Sequence, residues 1–366
     1  MSEEKRYQVA LGLIPGVGDQ LTKQLVSYCG SAQAIFSTPI SKLQKIPGIG
    51  SKRILDISLE NRLDEADRII EDCLKQDIQI LFYTDKAFPS RLKAIADSPS
   101  LLYFKGNGNL NATRTVGIVG TRKATAYGKE VVDQVCADLA SVGIVTISGL
   151  AYGIDIHAHR SSLKHQIPTF GVLAGGLDKI YPAVHKSTCE QMLEEGGILS
   201  ENPLGTKPEA HLFPARNRII AGLSDALIVI EAAEKGGALI TADIAYTYNK
   251  DVFAVPGNIT NTYSKGCHDL ITSQRAIPYT KIKDLLYNMN WDLGASQLAL
   301  PKIQLSNYGE PEKSILEALI QDKEGLQIDQ LAWKTQVPLN KLASKLLELE
   351  FAGIVKTLPG KRYKLV

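Results

Sequence analysis

The chain has 366 residues, 44% of them hydrophobic and 22% charged, with a formal net charge of +2. That length holds two or three domains with sizeable cores, and the near-neutral balance excludes binding of nucleic acid through overall charge, so any such binding needs local basic patches. Five dispersed cysteines (Cys29, Cys73, Cys136, Cys189, Cys267) without a C-x-x-C pair exclude a disulfide frame or a zinc ribbon by spacing. The leading MSEEKRYQ has no apolar signal core and no long uncharged apolar run follows, so a cytoplasmic chain without a membrane partner is expected.

Near the start, Ile14-Pro15-Gly16-Val17-Gly18 recurs as Ile46-Pro47-Gly48-Ile49-Gly50, each between helix-patterned stretches. This resembles the helix-hairpin-helix module, in which glycines let the backbone approach a phosphate at a helix start. Lys52 and Arg53 follow the second hairpin and Asp19 the first, which makes the second the better DNA candidate. Docking of both hairpins on a neighbouring domain is the competing reading. A charged helix over 61–74 leads out, and strands are expected at 78–83 and 101–104.

From 116 to 255, short apolar runs alternate with helical stretches: strands at 116–119, 143–148, 169–174, 197–200, 226–230 and 251–255. Continuous apolar strands separated by helices imply an α/β fold, a Rossmann-like and mostly parallel sheet covered on both faces. Ligands collect beyond the carboxyl ends of such strands, and the polar, Gly-bearing segments fall there. The first strand runs into Gly120, Thr121 and Arg122 ahead of a helix, a place that favours an anion. Arg122, Arg216 and Arg218 offer fixed charge to phosphates, and a guanidinium can grip a phosphodiester by two hydrogen bonds. Internal ion pairing is the alternative for Arg216 and Arg218. Lys235-Gly236-Gly237 reads as a second Gly-rich helix entry with backbone donors. Phe213, Tyr152 and Tyr181 are candidates for stacking unpaired bases, or for packing. The stretch 213–218 is read as a loop.

Several chemistries are excluded by pattern. The G-x-G-x-x-G fingerprint, a Walker A loop and a G-x-S-x-G elbow do not occur, so no dinucleotide cofactor, ATP motor or serine nucleophile is expected. Asp155-Ile156-His157-Ala158-His159 lacks a further ligand pair, so Asp155 is read as a helix cap rather than a metal ligand. No metal, cofactor or catalytic residue is assigned.

Residues 289–305 read as a linker, and three helices with a short hairpin follow. They resemble a winged helix, with Pro359-Gly360 turning the wing and Lys341, Lys345, Lys361, Arg362 and Lys364 along its third helix and last strand. Such a module reads duplex DNA or contacts a protein partner; the accessory or partner role is preferred. The domain division expected is 1–72 helix-hairpin-helix (SAM-like), 73–290 extended Rossmann-like, 291–305 linker and 306–366 winged helix.

Taken in order, VGIVGTR, SGLAYGID, GGLD…YP, LSENPLG, FPARNRIIAGLS, EA…GGALITA and VFAVPG…GC resemble the DNA-processing protein A family (DprA, also called Smf) of bacteria. The resemblance implies a non-enzymatic protein that binds single-stranded DNA, protects incoming strands in natural transformation and loads the RecA recombinase. It also implies a homodimer, with single-strand-binding protein as a further candidate partner. By position it assigns Gly120, Thr121 and Arg122 to phosphate and Phe213 to a base. Ser148, Gly149, Arg216, Arg218, Lys235, Gly236 and Gly237 would line the same pocket. The chain departs from the family pattern at Ala183 and Ala210, where basic residues are common, with Lys186 and Lys207 nearby. The alternative function is a Rossmann-like hydrolase of nucleoside monophosphates, whose PGG-x-GT…E signature is incomplete in EKGGALITAD.

Overall fold

In the computed structural model, the described residues are 3–47, 59–291, 308–320, 322, 325–351, 354–358 and 362–365. The second hairpin's Gly48, Ile49 and Gly50, its Lys52 and Arg53, most of the 291–305 linker and the Pro359-Gly360-Lys361 wing tip lie outside them. The chain divides into two compact units, Met1–Asn290 and Trp291–Val366.

The first unit is built on nine strands: β1 (Gln79–Phe82), β2 (Leu101–Lys105), β3 (Thr115–Val119), β4 (Val145–Gly149), β5 (Thr169–Val172), β6 (Gly197–Ser200), β7 (Ala226–Val229), β8 (Asp251–Ala254) and β9 (Ile277–Pro278). Their order across the sheet is β1-β2-β6-β5-β4-β3-β7-β8-β9. From β6 to β9 every pairing is parallel, while β1 and β2 add an antiparallel edge. The central strands are buried on both faces, as their unbroken apolar runs require. The six expected inner strands are present with shifted ends. Gly143 takes a positive φ of 66° to close the preceding turn, so β4 starts at Val145.

Connections from β3 run outward through β4, β5 and β6, and those from β7 run the other way through β8 and β9. Strand order therefore reverses between β3 and β7, which opens a crevice past their carboxyl ends. Thr125 caps the helix Ala126–Ser141 that leaves this crevice, accepting from the Gly128 N–H at 3.1 Å. Val9, Leu11, Leu25 and Ile35 of the N-terminal helices share one core cluster with Phe82, Tyr103 and Ile198 of the sheet, and Val119, Ile147, Val172 and Leu227 belong to a second with Leu92, Ile219 and Leu223. Gly16 of the first hairpin has φ 79°, and Ile14 and Val17 beside it are buried. Asp19, opening the next helix, accepts from the Ser100 N–H (2.7 Å) and hydroxyl (2.8 Å). Ile14, Val17 and Asp19 thus anchor the first hairpin to its own protein, while Pro15, Gly16 and Gly18 stay exposed.

The second unit has helices Glu310–Ile320, Ile328–Thr335 and Leu339–Phe351 and a three-stranded antiparallel sheet of Leu326–Gln327, Val355–Leu358 and Arg362–Leu365. Ile315, Leu319, Leu331, Leu342, Leu346 and Val355 form its core. Lys345, expected along the third helix, pairs with Glu312 (2.9 Å) and Glu348 (2.8 Å) and so links the first and third helices.

Candidate nucleic-acid interface

Two adjoining depressions occupy the crevice. One is lined by Gly120, Thr121 and Arg122 after β3, Ala232, Lys235, Gly236 and Gly237 after β7, and Asp155, Phe213, Arg216 and Asn217; its volume is about 240 Å³. The other is lined by Leu150, Tyr152, Val172, Leu173, Lys179, Tyr181 and Phe213. Arg122, Ala151, Phe213 and Arg216 belong to both.

The turn after β3 is held by backbone. Thr121 donates its N–H to Glu231 O (2.7 Å) and accepts from the Ile154 N–H (3.1 Å). A Cβ on Gly120 would stand 2.5 Å from Ile154, so close packing demands glycine there. The Glu231 carboxylate takes the Thr125 N–H (3.0 Å) and hydroxyl (2.6 Å), tying the end of β7 to the helix after β3. Arg122 projects from this fixed turn with its guanidinium 5.5 Å from the Phe213 ring centroid. A cation over a ring face is attracted to it, which holds the guanidinium at the crevice. Tyr181 stands edge-on to Phe213 with centroids 6.2 Å apart. Tyr152 (48% exposed) and Tyr181 (54%) leave ring surface open to a ligand.

The segment read as a loop over 213–218 is the start of the helix Leu212–Leu223. Pro214 falls in its first turn, where an N–H has no intrahelical acceptor to lose, so a residue that looks like a breaker is tolerated. Helical geometry separates positions two apart by roughly 200°. Arg216 accordingly turns into the crevice, 5% exposed, with Nη1 donating to Val172 O at 2.6 Å. Arg218 turns away. It pairs with Glu201 and Asp19 and donates to the Asp97 carbonyl, and it lines neither depression. The expectation that Arg218 faces phosphate is corrected: its charge holds the N-terminal helices against the sheet. Burial pushes Glu201 up to about 7 even against the pull of Arg218.

Two other assigned residues also sit behind the surface rather than on it. The Ser148 hydroxyl donates to Ile118 O at 2.6 Å, fully buried, and fixes β4 to β3. Gly149 makes room: a Cβ would lie 2.1 Å from Arg216 Nη1 and 2.6 Å from an Asp155 carboxylate oxygen. By contrast, a Cβ on Gly236 or Gly237 would meet nothing within 4 Å, and neither lies in the left-handed region that favours glycine, Gly236 being extended with φ 169°. Nothing in the fold calls for glycine at those two positions.

Asp155 is inside the helix Ile154–Lys164, whose cap is Gly153, so it is not the cap. Its buried carboxyl is pushed up to about 6 by desolvation, against the opposing pull of Arg216, the Ala151 and Gly120 N–H groups and Arg122. His159 is enclosed: Nε2 lies 2.9 Å from Gly149 O and Nδ1 2.8 Å from Thr169 Oγ1. Because a carbonyl only accepts, Nε2 carries the proton, and burial lowers this histidine to about 4. Among the described residues no group of three His, Cys, Asp or Glu is placed to hold a metal ion. Asn217 and Thr241, not singled out from sequence, donate to the Gly237 carbonyl at 3.4 and 3.1 Å and fix the start of the helix Gly237–Thr247. No helix among the described residues is long and apolar enough to cross a membrane.

Residues 79–290 match the family "DNA recombination-mediator protein A", and residues 305–361 match the "DprA winged helix domain". Protein Smf of Synechocystis is 33% identical over 99% of this chain and 99% of its own. Protein Smf of Escherichia coli is 36% identical over 80% of this chain and 79% of its own. The X-ray structure of DNA processing protein A from Streptococcus pneumoniae superposes with a TM-score of 0.66 at 31% identity, covering 78% of this chain and 98% of that one. The protein of that name from Helicobacter pylori, solved to explain its single-stranded DNA binding mode, gives 0.53 at 29% identity over 59% and 96%. The mostly parallel α/β sheet, the winged helix and the ordered strand-end motifs agree with these matches, and the chain belongs to the DprA/Smf family.

Proposed function

We propose that this protein binds single-stranded DNA across the β3–β7 crevice, as part of DNA processing in natural transformation and recombination. The observation that carries the reading is Arg122 over the Phe213 ring, with the buried Arg216 lining the same depression, at the point where strand order reverses. Phosphates meet the Arg122 and Arg216 guanidinium groups, the 120–122 turn and the Lys235-Gly236-Gly237 helix entry. A base stacks on Phe213 beside Tyr181. Stacking accepts any base, so the binding is sequence-tolerant, and phosphate neutralisation makes it salt-sensitive. Family membership supports the finer reading: a cytoplasmic, non-enzymatic homodimer that protects strands and loads the RecA recombinase, with single-strand-binding protein as a further partner. The matches over 79–290 and 305–361 support the Rossmann-like and winged-helix parts of a division into 1–72, 73–290, 291–305 and 306–366.

The test is binding of labelled oligo-dT by wild type and Arg122→Ala over a salt series. Loss of affinity with a shallower salt slope supports the reading; unchanged binding in Arg122→Ala removes the site. Incubation with AMP tests the hydrolase alternative: release of adenine would establish it.

A further inference from the structure

The two depressions share Arg122 and Arg216 and differ in chemistry beyond them. The one beside Tyr181 and Phe213 has a floor of Leu150, Val172 and Leu173 and is suited to a base. The other gathers Arg122, Arg216 and Lys235 against one carboxylate, Asp155. Arg216 is 5% exposed there, and its Nε has no hydrogen-bond partner among the described residues. A buried guanidinium N–H without an acceptor is costly, and such a cost marks a place where a ligand supplies the acceptor. The helix Gly237–Thr247 opens onto the same space from Gly236, which has no capping side chain, so its first N–H groups lack intrahelical acceptors. Gly236 and Gly237, which the fold does not require, leave that entry bare.

Donors thus meet at this depression from three elements: the Arg216 guanidinium, Arg122 from the β3 turn, and the helix entry with Lys235. An internal phosphodiester has one charge and two oxygens free of ester bonds. A phosphomonoester carries about −1.5 to −2 and three acceptor oxygens. We propose that this depression takes the phosphomonoester of a terminal nucleotide whose base lies in the neighbouring apolar one. The ligand is a phosphorylated strand end or a free nucleoside monophosphate. The proposal rests on the single-strand reading above and narrows it, because the strand is then gripped at an end as well as along its backbone.

Internally labelled oligo-dT with hydroxyls at both ends, with a 5′-phosphate, or with a 3′-phosphate provides the probes, with thymidine monophosphate and thymidine as competitors. One phosphorylated strand is expected to bind about tenfold tighter than the hydroxyl strand, the gain of one or two charge-assisted bonds. Arg216→Lys and, should that variant fold poorly, Lys235→Ala bring the ratio toward one. Competition by thymidine monophosphate but not thymidine, with all strands equal, identifies the free nucleotide as the ligand. Equal strands together with equal competitors overturn the proposal while single-strand binding stands, as does an end preference that both variants retain. Failure of every strand to bind overturns both.

Discussion

Arg216 and Arg218 stand two positions apart on one helix and serve opposite ends: Arg216 lies beneath the ligand crevice against Val172 O, and Arg218 is locked to Glu201 and Asp19 behind it. Removing each therefore has a different consequence. Arg218→Ala leaves Glu201 buried without its cation and should cost roughly 1–3 kcal/mol of stability. Its oligo-dT affinity, measured well below the melting temperature, should stay within about twofold of wild type, the range expected for a charge removed from a distant site. A large loss of affinity with an unchanged urea midpoint would return Arg218 to the interface.

Glu201 also makes a pH prediction. Its folded value of about 7 lies above the ordinary carboxylate value near about 4.3, so between these the folded state binds more protons than the unfolded one. Its contribution is fully present below the unfolded value and is lost as pH rises through about 7. Urea midpoints of wild type minus Glu201→Gln, followed across that window, should fall with rising pH. A flat difference would contradict the assigned environment.

Asp155 faces Arg216 and Arg122, and below about 6 it becomes neutral. The phosphodiester does not titrate there, so oligo-dT should bind more tightly as pH falls through that value. Asp155→Asn should remove this step and bind like the low-pH wild type at pH about 8, since the amide mimics the neutral acid. Parallel pH profiles for the two proteins would show that Asp155 does not report on the bound strand.

Phe213→Ala should weaken oligo-dT binding by about 1–3 kcal/mol, the worth of one base stack, and Phe213→Trp should restore most of it. Arg122→Lys keeps the charge but not the planar stack or the fork, so it should retain the salt slope while losing affinity. Anisotropy titrations at several salt concentrations separate these outcomes.

The glycines divide into two groups by what surrounds them. Gly153 has φ 82°, and a Cβ there would lie 2.2 Å from Thr121 O, so Gly153→Ala should destabilise by more than about 1 kcal/mol. Gly237→Ala meets no obstacle and should be neutral or stabilising by up to about 1 kcal/mol through helix propensity, while strand binding weakens. Thermal melts and binding measured on the same samples decide it.

Sequence by itself determined the alternation of buried strands with helices, the winged helix, and most of the strand-end segments that line the crevice, though 200–205 and 256–267, also assigned to it, line neither depression. Apolar runs and turn residues act locally, so their spacing is enough to place elements. It could not determine which assigned residues reach a ligand. Ser148, Gly149 and Arg218 are adjacent in sequence to crevice residues, yet Ser148 and Gly149 are spent on strand pairing and clearance and Arg218 on a long-range ion pair. The antiparallel edge of β1 and β2 and the partnership of Asp19 with Ser100 were equally invisible, because they join residues about eighty positions apart or pair strands by tertiary packing. Side-chain direction depends on helix phase and on partners brought together only by the folded chain, and here one helix beginning at Leu212 decided it.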